Sequence, residues 1–222
     1  MRKSLTGSLG VIVGCLVVVV GGCGGATSSG SGPAPSAGAP APSSAAALVW
    51  PAPPDPMERT IAAGLEPAPK EFGINHAHAH LDVFVDGRPV VVPAGIGIEI
   101  DDPQVRTFTE PDGSVSYGGI ELCADACISP LHTHFATGIL HTESATADPV
   151  TLGQFFTEWG VELSESCVGE HCSPETTVAF YVNGEPYTGD PRAIELSDRR
   201  QIAIVVGTPP AEIPATADFS KE

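Results

Sequence analysis

From His76 to Val85 apolar and polar side chains alternate without a break. Ala77, Ala79, Leu81, Val83 and Val85 fall on one face, and His76, His78, His80 and Asp82 on the other. A two-residue period predicts a strand with one face buried. Asp86-Gly87 then turns the chain into Val90–Val92, and Asp112-Gly113 joins Arg106–Thr109 to Ser114–Tyr117, two hairpin signals. Leu131–Phe135 and Ile139–Ser144 flank Ala136-Thr137-Gly138 and predict another hairpin, with His132 and His134 on one strand and His141 and Glu143 on its partner. A two-residue loop would set His132 opposite His141, whereas a three-residue bulged loop would slip the register by one. Thr177–Val182, an Asn183-Gly184 turn, Ala193–Leu196 and Ile202–Val206 make the C-terminal part β-rich as well.

Helical spacing is rarer. Thr151-Leu152-Gly153-Gln154 has the spacing of a capping box, and Leu152, Phe155, Phe156 and Trp159 form an apolar helical face that stops at Gly160. Asp55-Pro56 before Met57, Ile61 and Leu65 predicts a short lead-in helix. The fold class is therefore α+β, a mostly antiparallel sheet with one main helix. From Leu131 to Gly207, a hairpin, a helix and further strands in that order resemble the β-grasp arrangement of ubiquitin-like and sulfur-carrier proteins. No Gly-Gly tail accompanies the resemblance, so it implies a fold and no carrier chemistry.

Upstream the pattern changes twice. Arg2 and Lys3 precede an uncharged run from Leu9 to Gly22, shorter than the roughly 20 apolar residues a spanning helix needs, as in a cleavable signal peptide. Val20-Gly21-Gly22-Cys23 resembles the lipobox of bacterial lipoproteins, which implies that residues 1–22 are removed and that Cys23 carries acyl chains. Residues 23–56 are dominated by Ala, Pro, Ser and Gly and read as a disordered tether. That leaves residues 57–222 as one globular domain. The expected location is the extracytoplasmic face of the cell membrane, held by lipid. The formal net charge of -17 excludes nucleic acid as a natural partner and otherwise serves solubility.

The chemistry is concentrated in histidine. Six of the seven histidines lie in two clusters, His76, His78 and His80, then His132, His134 and His141 with Glu143 close behind. His-x-His on a strand sets two rings side by side, and Zn–N bonds of about 2.0 Å require neutral imidazoles that close. Three alternate histidines span roughly 13 Å, too far for both ends to reach one ion. One site drawing on His78, His80, His132, His134 and His141 is favoured, or two adjacent sites, with His76, Asp82 and Glu143 as further ligands or supporting groups. Imidazole with an optional carboxylate suits zinc or copper, and the domain's only methionine, Met57, argues against a thioether copper site. Cys123, Cys127, Cys167 and Cys172 are even in number in an exported chain and predict two disulfides with three pairings open. Cross-pairing would close the larger loops. His171, between Glu170 and Cys172, reads as a surface residue.

His-Ala-His-Ala-His-Leu at 76–81, Val92-Pro93-Ala94-Gly95-Ile96-Gly97, Leu131-His132-Thr133-His134, Thr137-Gly138-Ile139, His141-x-Glu143-Ser144 and the segment from Thr151 to Gly160 together resemble an uncharacterised family of exported or membrane-anchored actinobacterial and archaeal proteins. The resemblance runs from about His76 to Gly207 and implies the domain, not a reaction. Relatives usually carry Asp after His-Thr-His, where this chain has Phe135.

The expectation is a surface lipoprotein with a transition-metal-binding domain for extracytoplasmic metal handling or sensing. Two alternatives stay open: a zinc-dependent hydrolase with Glu143 as general base, and a metal-free extracellular interaction module whose protein partner the sequence does not name. No His-Glu-x-x-His helix, serine elbow or nucleotide loop is present.

Overall fold

The computed structural model describes residues 47–220. The signal peptide, Cys23 and most of the tether lie outside them. The predicted alternating strand is there as β2, Asn75–Val85, and the sheet is organised around it. Its C-terminal half pairs antiparallel with β3, Arg88–Val91, through the Asp86-Gly87 turn. Its other edge takes the last strand, β12 (Gln201–Val206), in parallel, from His80↔Gln201 to Val85↔Val206. β10 (Val178–Val182) and β11 (Glu185–Tyr187) continue beyond β12, joined by the Asn183-Gly184 turn.

Helix α2, Leu152–Trp159, lies against one face of this sheet. Both halves of the predicted capping box form, and Gly160 closes the helix in the left-handed conformation with φ 73°. Leu152, Phe155, Phe156 and Trp159 pack with Ala79, Leu81, Val83, Ile202 and Ile204 in the main core. The alternation in β2 is therefore read correctly: its aliphatic face meets the helix, and its histidine face turns away.

The order β3-β2-β12-β10-β11, with β12 parallel to the central β2 and a helix across the sheet, is a β-grasp order. Its opening hairpin is Asn75–Val91, not Leu131–Ser144 as the sequence suggested. The later segment is inserted beside the N-terminal half of β2. There β7 (Ile139–Ser144) pairs with β2 from Asn75↔Ser144 to His80↔Ile139, and β6 (Leu131–His132) pairs with β7. β6 is shorter than predicted. Thr133 leaves β7 and bonds instead to the 93–96 loop, its N–H donating to Ile96 and its carbonyl accepting from Gly95.

Two further boundaries differ from expectation. Leu48–Val49, assigned to the tether, form β1, which pairs parallel with β3, and the indole N–H of Trp159 donates to the carbonyl of Trp50 at 3.2 Å. Average composition hid these apolar residues among prolines and alanines. Ala193–Leu196 is not a strand; Pro191–Ala193 form a 3₁₀ turn, and Ile194 and Leu196 are buried beyond it. The lead-in helix α1 spans Pro56–Ala62, where Asp55 bonds Arg59 rather than capping the backbone. The 106–118 hairpin is present as β4 (Arg106–Thr109) and β5 (Val115–Gly118).

Both disulfides form locally, Cys123–Cys127 and Cys167–Cys172. Cys167 and Cys172 face each other across a short hairpin of β8 (Cys167–Val168) and β9 (His171–Cys172). In the other bridged loop, the N–H groups of Cys123 and Cys127 donate to the carbonyls of Pro69 and Ala68, which ties down the segment that carries Glu71.

Candidate metal centre

Strand register builds the centre. His78 on β2 pairs with His141 on β7, and His141 pairs in turn with His132 on β6, so three histidines stand in one row across three strands. The next row is His76 opposite Glu143. Directly opposed residues share a face, here the one turned away from α2. His132 is fully buried and His141 is 2 % exposed. His134 joins from the chain just beyond β6, its ring centroid 4.6 Å from that of His132 and 4.5 Å from that of His141.

Backbone acceptors orient two of these rings. Nδ1 of His132 lies 2.9 Å from the carbonyl of Ser129, and Nδ1 of His134 lies 2.7 Å from the carbonyl of Tyr117. A carbonyl only accepts, so each Nδ1 carries the proton, and each neutral ring presents an unprotonated Nε2. Those two Nε2 atoms are 3.1 Å apart. Two lone pairs meet there with no proton between them, an arrangement that a shared cation relieves. Two Zn–N bonds of about 2.0–2.1 Å at a tetrahedral angle put their nitrogens roughly 3.3 Å apart. Neither ring nitrogen of the buried His141 has a hydrogen-bond partner among the described residues, and its Nδ1 lies 3.7 Å from Glu143 Oε1.

Electrostatics disfavours protons as the shared cation. Burial, then the neighbouring His134 and His141, hold the pKa of His132 well below 6.5. Burial and His141 push His134 down to about 4. Burial opposes ionisation of Glu143, yet His141, His134 and His76 keep its pKa below the usual value. At neutral pH His132 and His134 are thus neutral imidazoles and Glu143 a carboxylate, the forms that bind metal.

The ligand atoms form two sets, His132, His134, His141 and Glu143, and His76, His78 and Glu143, each mutually within 4.8 Å. These His and Glu groups could hold a metal ion. His80 and Asp82, also predicted for the site, are not brought into it. His80 sits further along β2, where its Nε2 donates to the carbonyl of Thr137 at 2.9 Å, while Asp82 accepts from the Gln201 amide at 2.8 Å. The pair on β2 that could chelate is His76 and His78, because β7 presents Glu143 and His141 opposite them and only Ile139 opposite His80. His171 belongs to neither ligand set and is half-buried, its ring centroid 6.4 Å from that of Trp50.

Sequence reasoning missed Glu71. It lies in an irregular segment without periodicity, yet its Oε1 is 3.6 Å from Nε2 of His134. Burial, then the charge of Glu143, raises its pKa to about 7. Glu71, Phe108, Tyr117 and Phe135 share with His76, His78, His134, His141 and Glu143 the lining of a cavity of about 500 Å³. The centre is thus buried on its His132 side and open on its His76 side. Comparison of the chain with family models, curated proteins and solved structures finds no match.

Proposed function

We propose that this protein is a surface-anchored lipoprotein whose β-grasp-like domain holds a transition metal, zinc or copper, for extracytoplasmic metal handling or sensing. The observation that carries the metal reading is the convergence of His132 Nε2 and His134 Nε2 at 3.1 Å with both Nδ1 protons committed to carbonyls. A solvated polar face would not bury such a pair. Imidazole-rich donors with a carboxylate favour zinc or copper over calcium or magnesium. The location and anchor follow from the lipobox resemblance at Cys23.

The cavity beside the centre supports a second reading, a metal-dependent hydrolase, because a volume of about 500 Å³ suits a small-molecule ligand. In that reading the ion acts as a Lewis acid and Glu143 as general base. Metal content, measured by mass spectrometry on the chain purified natively from the exported compartment, tests the shared premise. Stoichiometric zinc or copper is expected, and His132→Ala combined with His134→Ala should remove it. A metal-free native protein that takes up neither ion on addition would overturn the reading and leave an extracellular interaction module.

A further inference from the structure

One ion does not account for all the ligands. Donors to a single ion with bonds of about 2.0–2.1 Å lie at most roughly 4.2 Å apart. The six side chains instead fall into two sets that overlap only at Glu143. Glu143 Oε1 is 3.5 Å from His76 Nε2 and 3.7 Å from His141 Nδ1, so the carboxylate stands between the sets. The rings of His78 and His141, one from each set, are 4.5 Å apart at their centroids.

Resting on the metal reading above, we propose that the centre is dinuclear: one ion held by His132, His134 and His141, a second by His76 and His78, with Glu143 bridging the two. Oε1 faces both sets, and a carboxylate shared between ions suits the separation of about 3.5–4 Å found in two-metal sites. The two positions differ in depth. His132 and His141 are buried, whereas the His76 side chain is 54 % exposed and lines the cavity with His78. The outer ion therefore exchanges more readily and faces whatever enters the cavity. Glu71, 3.6 Å from His134 Nε2, adds a second carboxylate that offsets the charge of two dications.

Calorimetric titration of the chelator-treated, full mature chain with Zn(II) tests this. Two equivalents are expected, the outer bound at least about tenfold more weakly. The double variant His76→Ala/His78→Ala should bind one, and His76→Ala alone, at an exposed position that spares the fold, should weaken only the second. Loading with two equivalents of Cu(II) should give a paramagnetic resonance signal well below that of two independent ions. A single equivalent in the native chain, unchanged by the double variant, would overturn the second ion while sparing the first. Two equivalents persisting in the double variant would overturn the assignment of His76 and His78, and a full uncoupled copper signal would overturn the bridge. Binding of no ion would instead sink the metal reading itself.

Discussion

At the scale of single residues, the centre depends on which nitrogen of each ring is free. Backbone carbonyls of Ser129 and Tyr117 make that choice for His132 and His134. Gly97 helps to hold β6 in place. A Cβ there would lie 2.5 Å from the carbonyl oxygen of Leu131, at a φ of +71° that other residues rarely adopt. Outside the centre, Glu158 is a fully buried acid on α2, and burial, only partly offset by hydrogen bonds with Ser129 and Thr60, raises its pKa from the ordinary 4.5 to about 8. Thr60 Oγ1 lies 2.9 Å from both Glu158 Oε1 and the carbonyl of Pro56. A protonated Glu158 donates through Oε1 to Thr60, whose own proton serves Pro56, while the buried Oε2 has no hydrogen-bond partner among the described residues. Below pH 4.5 Glu158 is protonated folded or unfolded. Between 4.5 and 8 only the unfolded chain releases the proton, so stability falls as pH rises. Glu158→Gln should melt several degrees above the native chain at pH 8, and the gap should close by pH 4.5. Thermal melts across that range check this; a gap independent of pH would contradict it.

At the scale of elements, register decides the site. His132, His141 and His78 align because β6, β7 and β2 pair without slippage, a choice the sequence left open between two hairpin loops. The pairing is enforced from the opposite face, where Leu131, Leu140 and Ala79 are buried in the main core. A one-residue slip would turn those apolar residues outward. The short β1 adds an edge to β3 and brings Trp50 to within 5.7 Å of Trp159, ring centroid to centroid. Starting the domain at residue 57 should therefore destabilise it by about 1–3 kcal/mol relative to a start at 47, through loss of that pairing and aromatic burial. Denaturant unfolding of the two fragments measures the difference, and equal midpoints would show β1 to be dispensable.

At the scale of the whole molecule, the proposed metal centre joins segments far apart in sequence: β2, the 64–74 segment, the β4–β5 hairpin and the β6–β7 insertion. An ion that binds only the folded arrangement stabilises all of them together. At a free concentration a thousandfold above Kd the gain is about 4 kcal/mol, or roughly 8–16 °C in Tm for a domain of this size. Chelator should lower Tm by about that amount in the native chain and leave the His132→Ala/His134→Ala variant unmoved. Calorimetry with and without chelator reads this, and equal shifts in both proteins would place the ion elsewhere.

Local chemistry was legible in the chain. The period of two in β2, the Thr151 capping box, the Gly160 stop and the Asp-Gly and Asn-Gly turns each rest on neighbours within a few residues. The histidine density pointed to metal for the same reason, since chelating spacing along a strand is a local property. Long-range choices were not legible. Which hairpin opens the β-grasp sheet, whether His76 or His80 joins His78, that Glu71 approaches His134, and that the cysteines pair within their own loops all depend on which strand lies beside which. Side-chain patterns specify a face, but the partner strand sets what stands across it, and here β7 brings Glu143 to His76 and only Ile139 to His80.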